Sequence, residues 1–542
     1  MIKFSKYFYL FPIILTCFFL SVDKYVLQSA VDGGLILSGL VNFPENFSNV
    51  TSTYHNGYTV LHYFTLLLLK INFSVDSISI ILTFIIISFY TLGIFYLTLG
   101  ITKSQNLALL LSLFTIIHTN HFGDVDYPVL FYAEHSFGAF SLSAFTFIVG
   151  LLANKNFKTA GLITAILLSS HFVVGLWTLL LFIIIYLINI SFLRHIKNNI
   201  KSEIKKLLLG FSIWLIPIIV SIIFYSNNLI DNSYFDLKDF VIYMNLWDHH
   251  RNLTIIRYDY ILKTLFLLIL VLTYTYYFKQ RENLIFILFI LLTCLGSLSI
   301  HLFYKIVPHS YIPQFLINSM PTRVFVLHSV LGYPLIISIF FFIFKQSNFG
   351  INLNLKKYKT FFIITTIIII LSLSFNIDNF FPKAKNFYTN KIEKRFLKIS
   401  NTLFKKSIND EYLFWQKINE IKSDGYYITT FNSSALTLRY GRKPHILNTT
   451  MIDNTSYFPY QVTETKLIIE DIYGISFNNP PIKFLGAILD DWFKSTFEKR
   501  SVNDWKIIAE KYNISGVIVP SDWNLIIKDK IASQKFTAYI LN

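Results

Sequence analysis

The sequence predicts a mainly α-helical protein, in which a polytopic membrane bundle of about eleven spans precedes a soluble C-terminal α/β domain. Three observations predict this fold: an apolar composition, long apolar runs as far as residue 375, and a sorting of charge between the runs. Of the 542 residues, 54% are hydrophobic and 14% are charged, whereas about a quarter of the residues of soluble proteins are charged. A single soluble core cannot bury so many apolar side chains. Residues 1–377 are therefore predicted to have the lipid bilayer as their partner.

The apolar runs are about as long as a helix that crosses a bilayer, and in hydrocarbon only helices or closed barrels satisfy the backbone amides. Unbroken Leu, Ile and Phe runs favour helices. The run at 58–73 is short and contains His62 and Lys70, so an interfacial helix is expected there. Lys3 and Lys6 would also suit a cleavable signal peptide, but no clear cleavage site follows, which favours an uncleaved first span. The predicted spans are 7–22, 77–99, 106–119, 137–153, 159–173, 175–192, 207–226, 260–278, 283–303, 324–344 and 360–377.

The loops between these runs divide into a basic set and an acidic set. The basic set carries 16 Lys/Arg and 2 Asp/Glu, and comprises 1–6, 100–105, 154–158, 193–206, 279–282 and 345–359. The acidic set carries 7 Lys/Arg and 12 Asp/Glu, and comprises 23–76, 120–136, 227–259 and 304–323. By the positive-inside rule the N-terminus is cytoplasmic and the acidic loops lie outside a plasma (inner) membrane. This sorting accounts for most of the net charge of +16 and excludes nucleic acid as the partner.

Residues 378–542 have a different composition, with 23 Lys/Arg, 17 Asp/Glu and short apolar segments. Helical periodicity is expected at 411–421 and 501–512, and strands at 426–430, 514–519 and 536–541. Alternating helices and strands predict a small extracytoplasmic α/β domain. Cys17 and Cys294 both lie in apolar runs, which favours small buried side chains over a disulfide or a metal pair.

Acidic residues in the first two outer loops are the candidate catalytic groups. Asp32 follows the first span closely, where an acid can meet water-soluble and lipid-borne groups together. Asp124 and Asp126 are one residue apart, so they could share a divalent cation (Mg²⁺ or Mn²⁺) that bridges to a pyrophosphate, or hold an acceptor and its proton. A lone Asp-x-Asp in a loop is also commonly solvated surface. Glu134 and His135 lead the chain back to the bilayer and are candidate substrate-binding residues.

The order of these features resembles the C-type glycosyltransferase superfamily of polytopic membrane enzymes. The resemblance covers about the first 150 residues: a first span, Asp32, a loop that ends in an aromatic interfacial helix at 54–64, two spans, and the acidic loop 120–136. A soluble C-terminal tail is also usual there. The resemblance implies transfer of a sugar from a polyprenyl-phosphate-linked donor to a glycan, lipid or protein acceptor at the outer face.

The same resemblance implies roles for single residues. Asp32 would be the catalytic base or hold the acceptor, and Asp124 and Asp126 would be the acids of the second loop. Many relatives have two acids in the first loop, whereas Gly33 and Gly34 follow Asp32 here. Asp32 is therefore expected to act alone.

Cationic residues of the later outer loops are candidates for binding the donor, because a lipid-linked phosphate must be held at headgroup depth. Arg323 is best placed, although a snorkelling arginine at a helix end would look the same. His249, His250 and Arg251 are further candidates, and adjacent histidines are poorly arranged for a metal. The basic turn at 439–445 is expected to be solvated surface and is left out of the site.

A second class of function stays open, namely a transporter, a flippase or a polymerase-like protein of envelope polysaccharide assembly. A transporter should carry ionisable residues within its spans, and the predicted spans carry few. A non-catalytic membrane protein is the third alternative.

Overall fold

The computed structural model describes residues 6–46, 59–117, 136–192, 199–220, 236–247, 258–277, 283–307, 311–312, 316, 331–347, 410–456, 458–481 and 488–541. Helices dominate the part before residue 348. They are α1 (Lys6–Lys24), α2 (Ala30–Leu37), α3 (Val60–Lys70), α4 (Val75–Thr102), α5 (Gln105–Ile117), α6 (Ser136–Ala153), α7 (Phe157–Ser170), α8 (Phe172–Phe192), α9 (Asn199–Ser212), α10 (Leu237–Leu246), α11 (Tyr258–Tyr277), α12 (Leu284–Ile306) and α13 (Gly332–Ser347).

The C-terminal part combines helices with a few short strands, as expected for the tail, and most of its helices form one run between the first strand and the later ones. Its elements are α14 (Asp410–Glu420), β1 (Tyr426–Thr429), α15 (Phe431–Arg439), α16 (Thr449–Asn454), a 3₁₀ turn (Pro459–Gln461), α17 (Val462–Asp471), α18 (Asp490–Lys499), α19 (Val502–Tyr512), β2 (Ile514–Pro520), β3 (Lys530–Ala532) and β4 (Phe536–Ile540). The sheet order is β1-β2-β4-β3. Strands β1 and β2 are parallel, and β4 pairs antiparallel with both β2 and β3.

Local sequence accounts for the helix-to-strand step at α19. The Ser501 hydroxyl accepts a hydrogen bond from the Asp504 amide, and the Asp504 carboxylate accepts one from the Ser501 amide, which makes a capping box. Asn513 ends the helix in the left-handed region, at φ 52°, which asparagine tolerates better than most residues. Strand β2 then begins at once, as predicted for 501–519.

The predicted number of about eleven spans is wrong for the described residues. Three helices are long and apolar enough to cross a bilayer, namely α4, α6 and α12. Among the other apolar helices, α7 ends where His171 is extended, before α8 begins. A 14-residue helix such as α7 is about 21 Å long, which is less than the bilayer core of about 30 Å. The predicted span at 360–377 lies outside the described residues.

Helices α4 and α6 pack closely through small residues. A Cβ atom added at Gly150 would lie 2.3 Å from the Gly93 carbonyl oxygen, and one at Gly100 would lie 2.5 Å from the Ala153 carbonyl oxygen. Small residues at these positions let the two backbones approach, which is how apolar helices associate where burial from water provides no driving force. The long apolar helices are compatible with association of the chain with a membrane.

Three of the predicted basic loops lie together at one end of this packed pair. The Asn283 side-chain amide donates hydrogen bonds of 2.9 Å to the carbonyl oxygens of Leu152 and Ala153. The carboxyl group of Glu203 interacts electrostatically with Lys155. The loops around residues 154, 203 and 283 are therefore neighbours, as expected for loops on one side of a membrane.

The predicted interfacial helix at 58–73 is α3, which has 11 residues. At 1.5 Å per residue α3 is about 16 Å long, too short to cross a bilayer. Its Thr65 hydroxyl donates to the Ala30 carbonyl oxygen at 2.9 Å, so α3 lies against α2.

Cysteine labelling tests the predicted sidedness. Cys17 and Cys294 are both buried, so single exposed cysteines can be read against a low background. We expect Glu510→Cys, on the exposed face of α19, to react with a membrane-impermeant maleimide from outside intact cells. Lys201→Cys, in the basic segment of α9, should react only after permeabilisation. The reverse pattern would overturn the assignment of inner and outer loops.

Candidate functional site

Asp32 lies in the first turn of α2, where the helix dipole favours an anion. The start of α2 is fixed against α6, because the Ala30 amide donates to the Ser136 hydroxyl at 3.0 Å. Asp32 is 4% exposed although it is an acid. A buried carboxylate needs a cationic partner, because taking it out of water costs several kcal/mol.

That partner is Arg439, the last residue of α15 in the C-terminal domain. Its Nε donates to Oδ1 of Asp32 at 2.6 Å, and its Nη2 donates to Oδ2 at 3.0 Å. Nη1 donates to the Leu27 carbonyl oxygen at 3.1 Å. Arg439 is 2% exposed, so both partners of this bidentate ion pair are buried. The pair joins the first outer loop to the C-terminal domain.

The prediction that 439–445 is solvated surface is wrong. Besides Arg439, Lys443 is 6% exposed and His445 is 1% exposed. The segment is buried because it follows α15 back to the sheet: the Tyr427 amide donates to the Pro444 carbonyl oxygen at 2.8 Å, and Lys443 Nζ donates to the Ile421 carbonyl oxygen. The available signal was Asp32 itself, since an acid within an apolar stretch requires a cation elsewhere in the chain.

The first outer loop also packs on strand β1. The Tyr426 hydroxyl donates to the Pro44 carbonyl oxygen at 2.9 Å. The Phe43 ring lies 6.2 Å from the Tyr426 ring and meets the His445 ring edge-on at 6.1 Å. Residues 43–46 therefore cover the same region of the domain that supplies Arg439.

Asp76, at the end of this loop, makes a further connection. Its Oδ1 accepts a hydrogen bond from the Tyr440 hydroxyl at 2.7 Å and one from the Tyr25 hydroxyl at 2.9 Å. The three residues join the end of α1, the start of α4 and the C-terminal domain. Asp32 and Asp76 thus bind neighbouring residues of the domain, Arg439 and Tyr440.

The outer loop 227–259 contacts the domain through α10. The Tyr243 hydroxyl donates to the Ile452 carbonyl oxygen at 2.6 Å, and Trp247 Nε1 donates to the Phe477 carbonyl oxygen at 2.9 Å. Lys466 forms an ion pair with Asp239 at 2.9 Å. The C-terminal domain is therefore docked on segments that were all predicted to lie outside.

Gly33 and Gly34 face α3 at very short range. A Cβ atom added at Gly33 would lie 2.0 Å from Cδ2 of His62, and one added at Gly34 would lie 2.4 Å from the Thr65 hydroxyl. A second carboxylate next to Asp32 would therefore displace α3. This packing gives a physical reason why glycines follow Asp32 in this chain.

The other predicted site residues lie outside the described residues. They are Asp124, Asp126, Glu134, His135, His249, His250, Arg251 and Arg323. Their roles, including a divalent cation at Asp124 and Asp126, stay predictions. Among the residues that the structure describes, no three His, Cys, Asp or Glu residues are grouped as metal ligands would be.

Burial shifts the pKa values of Asp32 and His445 where the first outer loop meets the C-terminal domain. It raises the pKa of the Asp32 carboxyl above its ordinary value, and the Arg439 guanidinium partly offsets that shift. Burial also lowers the pKa of His445 to about 3, with a further contribution from the nearby Arg439 charge. His445 is therefore neutral at physiological pH.

Comparison with protein-family models and with curated proteins finds no match for this chain. The resemblance to the C-type glycosyltransferase superfamily accordingly stays a prediction that depends on the order of features in the first 150 residues.

Removing Arg439 should destabilise the docked domain strongly. Arg439→Ala leaves Asp32 buried without its cation, which typically costs about 3–5 kcal/mol, whereas Lys511→Ala breaks a surface pair with Asp471 and should cost about 1 kcal/mol or less. The double variant Asp32→Asn/Arg439→Gln should recover most of the loss. Thermal unfolding of the purified chain, followed by tryptophan fluorescence, measures the differences. Equal losses for Arg439→Ala and Lys511→Ala would contradict this account of the ion pair.

Acidification should destabilise the folded protein through His445. Because its pKa in the folded protein is about 3, the unfolded chain binds a proton below pH 6.5 while the folded chain does not. The free energy of unfolding is therefore largest above the pKa of the unfolded chain. It falls on acidification, by about 2 kcal/mol between pH 7 and pH 5. His445→Gln should reduce this pH dependence of unfolding by that amount. An unchanged dependence would show that other groups cause it.

Proposed function

We propose that the chain is a polytopic membrane glycosyltransferase, which moves a sugar from a polyprenyl-phosphate-linked donor to an acceptor at the outer face of the membrane. The observation that carries the proposal is the position of Asp32, a buried acid where apolar helices meet the C-terminal domain. Its position after the first apolar helix, followed by the short helix α3, agrees with the layout of the C-type superfamily.

The proposed reaction needs a base. The acceptor hydroxyl oxygen bonds to the anomeric carbon, its proton passes to the base, and the bond from that carbon to the carrier phosphate breaks with its electron pair on the phosphate. An aspartate carboxylate that lies within hydrogen-bond reach of the acceptor hydroxyl can accept this proton. Asp32 is the proposed base, Arg439 its positioning partner, and inversion at the anomeric carbon is expected by resemblance.

The ion pair with Arg439 determines when an acceptor can reach Asp32. Asp32 is almost completely covered, and both of its oxygens accept hydrogen bonds from Arg439. An acceptor can therefore reach Asp32 only after the contact between α2 and α15 opens. In this proposal Asp124 and Asp126 position the acceptor or a divalent cation, and Arg323 holds the carrier phosphate.

The alternatives make different demands on the same residues. A transporter or flippase requires charged groups along its path, but Asp, Glu, Lys and Arg occur in α4, α6 and α12 only near the helix ends, if at all. The observation that favours a non-catalytic membrane protein is the ion pair itself, which would then serve only to hold the domain.

A neutral replacement of the pair separates these proposals. Asp32→Asn/Arg439→Gln removes both charges together, so no buried charge is left unpaired. If Asp32 is the base, transfer of a radiolabelled sugar from a polyprenyl-linked donor in proteoliposomes should fall by about 100-fold or more, with unfolding close to that of the wild type. Asp124→Asn should also reduce transfer.

The matched control is Lys494→Met, which breaks an exposed pair with Asp522 that has no contact with Asp32 or Arg439 and should leave transfer unchanged. Full transfer by the folded neutral variant would exclude Asp32 as the base and favour a structural role.

A further inference from the structure

Helices α7 and α8 form a hairpin that turns at His171. A Cβ atom added at Gly175 of α8 would overlap the backbone of Leu168 in α7. Residues seven positions apart in one straight helix are about 10 Å apart, so the chain folds back on itself between these two residues. His171, which lies between them, has extended backbone and separates the two helices.

The hairpin starts from the predicted inner side of the membrane and returns towards it. Helix α7 begins at Phe157, just after Ala153, whose carbonyl oxygen accepts a hydrogen bond from the Asn283 amide at 2.9 Å. Further along α8, the Phe182 ring lies 5.1 Å from the ring of Phe289, which belongs to the first turns of α12. Because α12 begins directly after Asn283, α8 runs back towards the side from which α7 starts.

The turn of the hairpin does not reach the predicted outer side. Helix α7 has 14 residues and is about 21 Å long, whereas the hydrocarbon core of a bilayer is about 30 Å thick. A hairpin that starts at the inner boundary of the core therefore turns about 9 Å short of the outer boundary. Helix α12 starts beside the same inner loops, and its 23 residues are enough to cross the core.

The helix that lies beside α7 is interrupted at the same height. A Cβ atom added at Gly161 of α7 would overlap the Leu207 carbonyl oxygen of α9, so the two helices run side by side. Residues 213–214 form a turn directly after α9. In this turn Trp214 Nε1 donates to the Ser169 hydroxyl at 3.0 Å. Two breaks in helical structure, with polar groups at both, thus lie together within the predicted outer leaflet.

The surroundings of these breaks decide whether hydrocarbon can cover them. In a bilayer, irregular backbone is tolerated only where protein buries it or where it lines water. Ser169 and Ser170 are buried, but Phe172 is 57% exposed directly after the turn, and Ile213 is 54% exposed beside it. The described part of the chain therefore encloses the turn only in part, and its open side requires a polar surrounding.

We propose that water and phospholipid headgroups of the outer leaflet reach down to the turn at His171. The bilayer is then thinner at this turn than beside α12, by about 9 Å. The partner of this surface is thus a locally thinned outer leaflet, whose headgroups meet the turn while acyl chains lie against the apolar side chains below it. This inference rests on the membrane location in the proposed function, but not on sugar transfer.

Spin labels at positions of similar height test the inference. Phe172→Cys places a label at the turn, and Ile213→Cys places a second one at the neighbouring break. The matched control is Leu295→Cys on α12, which is 47% exposed and lies about 17 Å from the start of that helix. The native cysteines are buried, so they should take up little label.

The measurement is electron paramagnetic resonance on the full chain in phospholipid vesicles, with a water-soluble nickel chelate and oxygen as relaxing agents. We expect the labels at 172 and 213 to collide severalfold more often with the nickel chelate than the label at 295, which should collide mainly with oxygen. All three substitutions are at exposed side chains, and thermal unfolding close to that of the wild type checks that each variant is folded.

The possible failures are distinguishable. Oxygen-dominated collisions at all three positions would overturn the recess and keep the membrane location. Nickel access at all three positions would overturn the membrane location, and with it both the recess and the proposed function. Sugar transfer is measured separately, so a chain that shows the recess but no transfer would keep this inference and lose the glycosyltransferase.

Discussion

The buried ion pair between Asp32 and Arg439 is the constraint on which the arrangement of this protein depends. Neither charge can stay buried alone, because each would lose several kcal/mol of hydration without compensation. The pair therefore fixes α2 against α15, and the contacts of Asp76 with Tyr440 and of residues 43–46 with β1 follow from that placement. A domain more than 370 residues further along the chain is held to the first outer loop in this way. The attachment of the domain to the rest of the chain thus includes a specific ion pair besides the apolar contacts of α10 with the domain.

Local patterns in the sequence predicted much of the domain, but not this pair. Helix α19 and strand β2 follow from an amphipathic period, a capping box and an asparagine at the helix end, all within 20 residues. The partner of Asp32 is 407 positions away, and a basic turn with Gly441 and Pro444 has the composition of exposed surface. Only the fold shows that it is buried. The number of spans failed for another reason: apolar composition does not show whether a helix is long enough to cross a bilayer, and α7, for example, has only 14 residues.

The charge sorting of the loops has more structural support than the span count. The C-terminal domain contacts three of the predicted outer loops, through Asp32, Tyr243 and Tyr304 among others. The predicted inner loops around residues 154, 203 and 283 lie near one another. Charge in a loop reflects which side of a membrane the loop faces, whether or not the flanking helices are regular. Loop charge therefore grouped segments that lie near one another in the structure, although several helices are shorter than a bilayer-crossing helix.

Helix α15 relates the candidate base to the sheet of the C-terminal domain. It begins directly after β1, with Thr430 at its N-terminal cap, and ends at Arg439, which binds Asp32. The Ser433 hydroxyl in its first turn donates to the Ile518 carbonyl oxygen of β2 at 3.1 Å, so the helix is fixed to the sheet. A movement that withdraws α15 from Asp32 would therefore move the sheet with it. Such a movement of the domain would give the buried carboxylate a route to an acceptor without any change within the apolar helices.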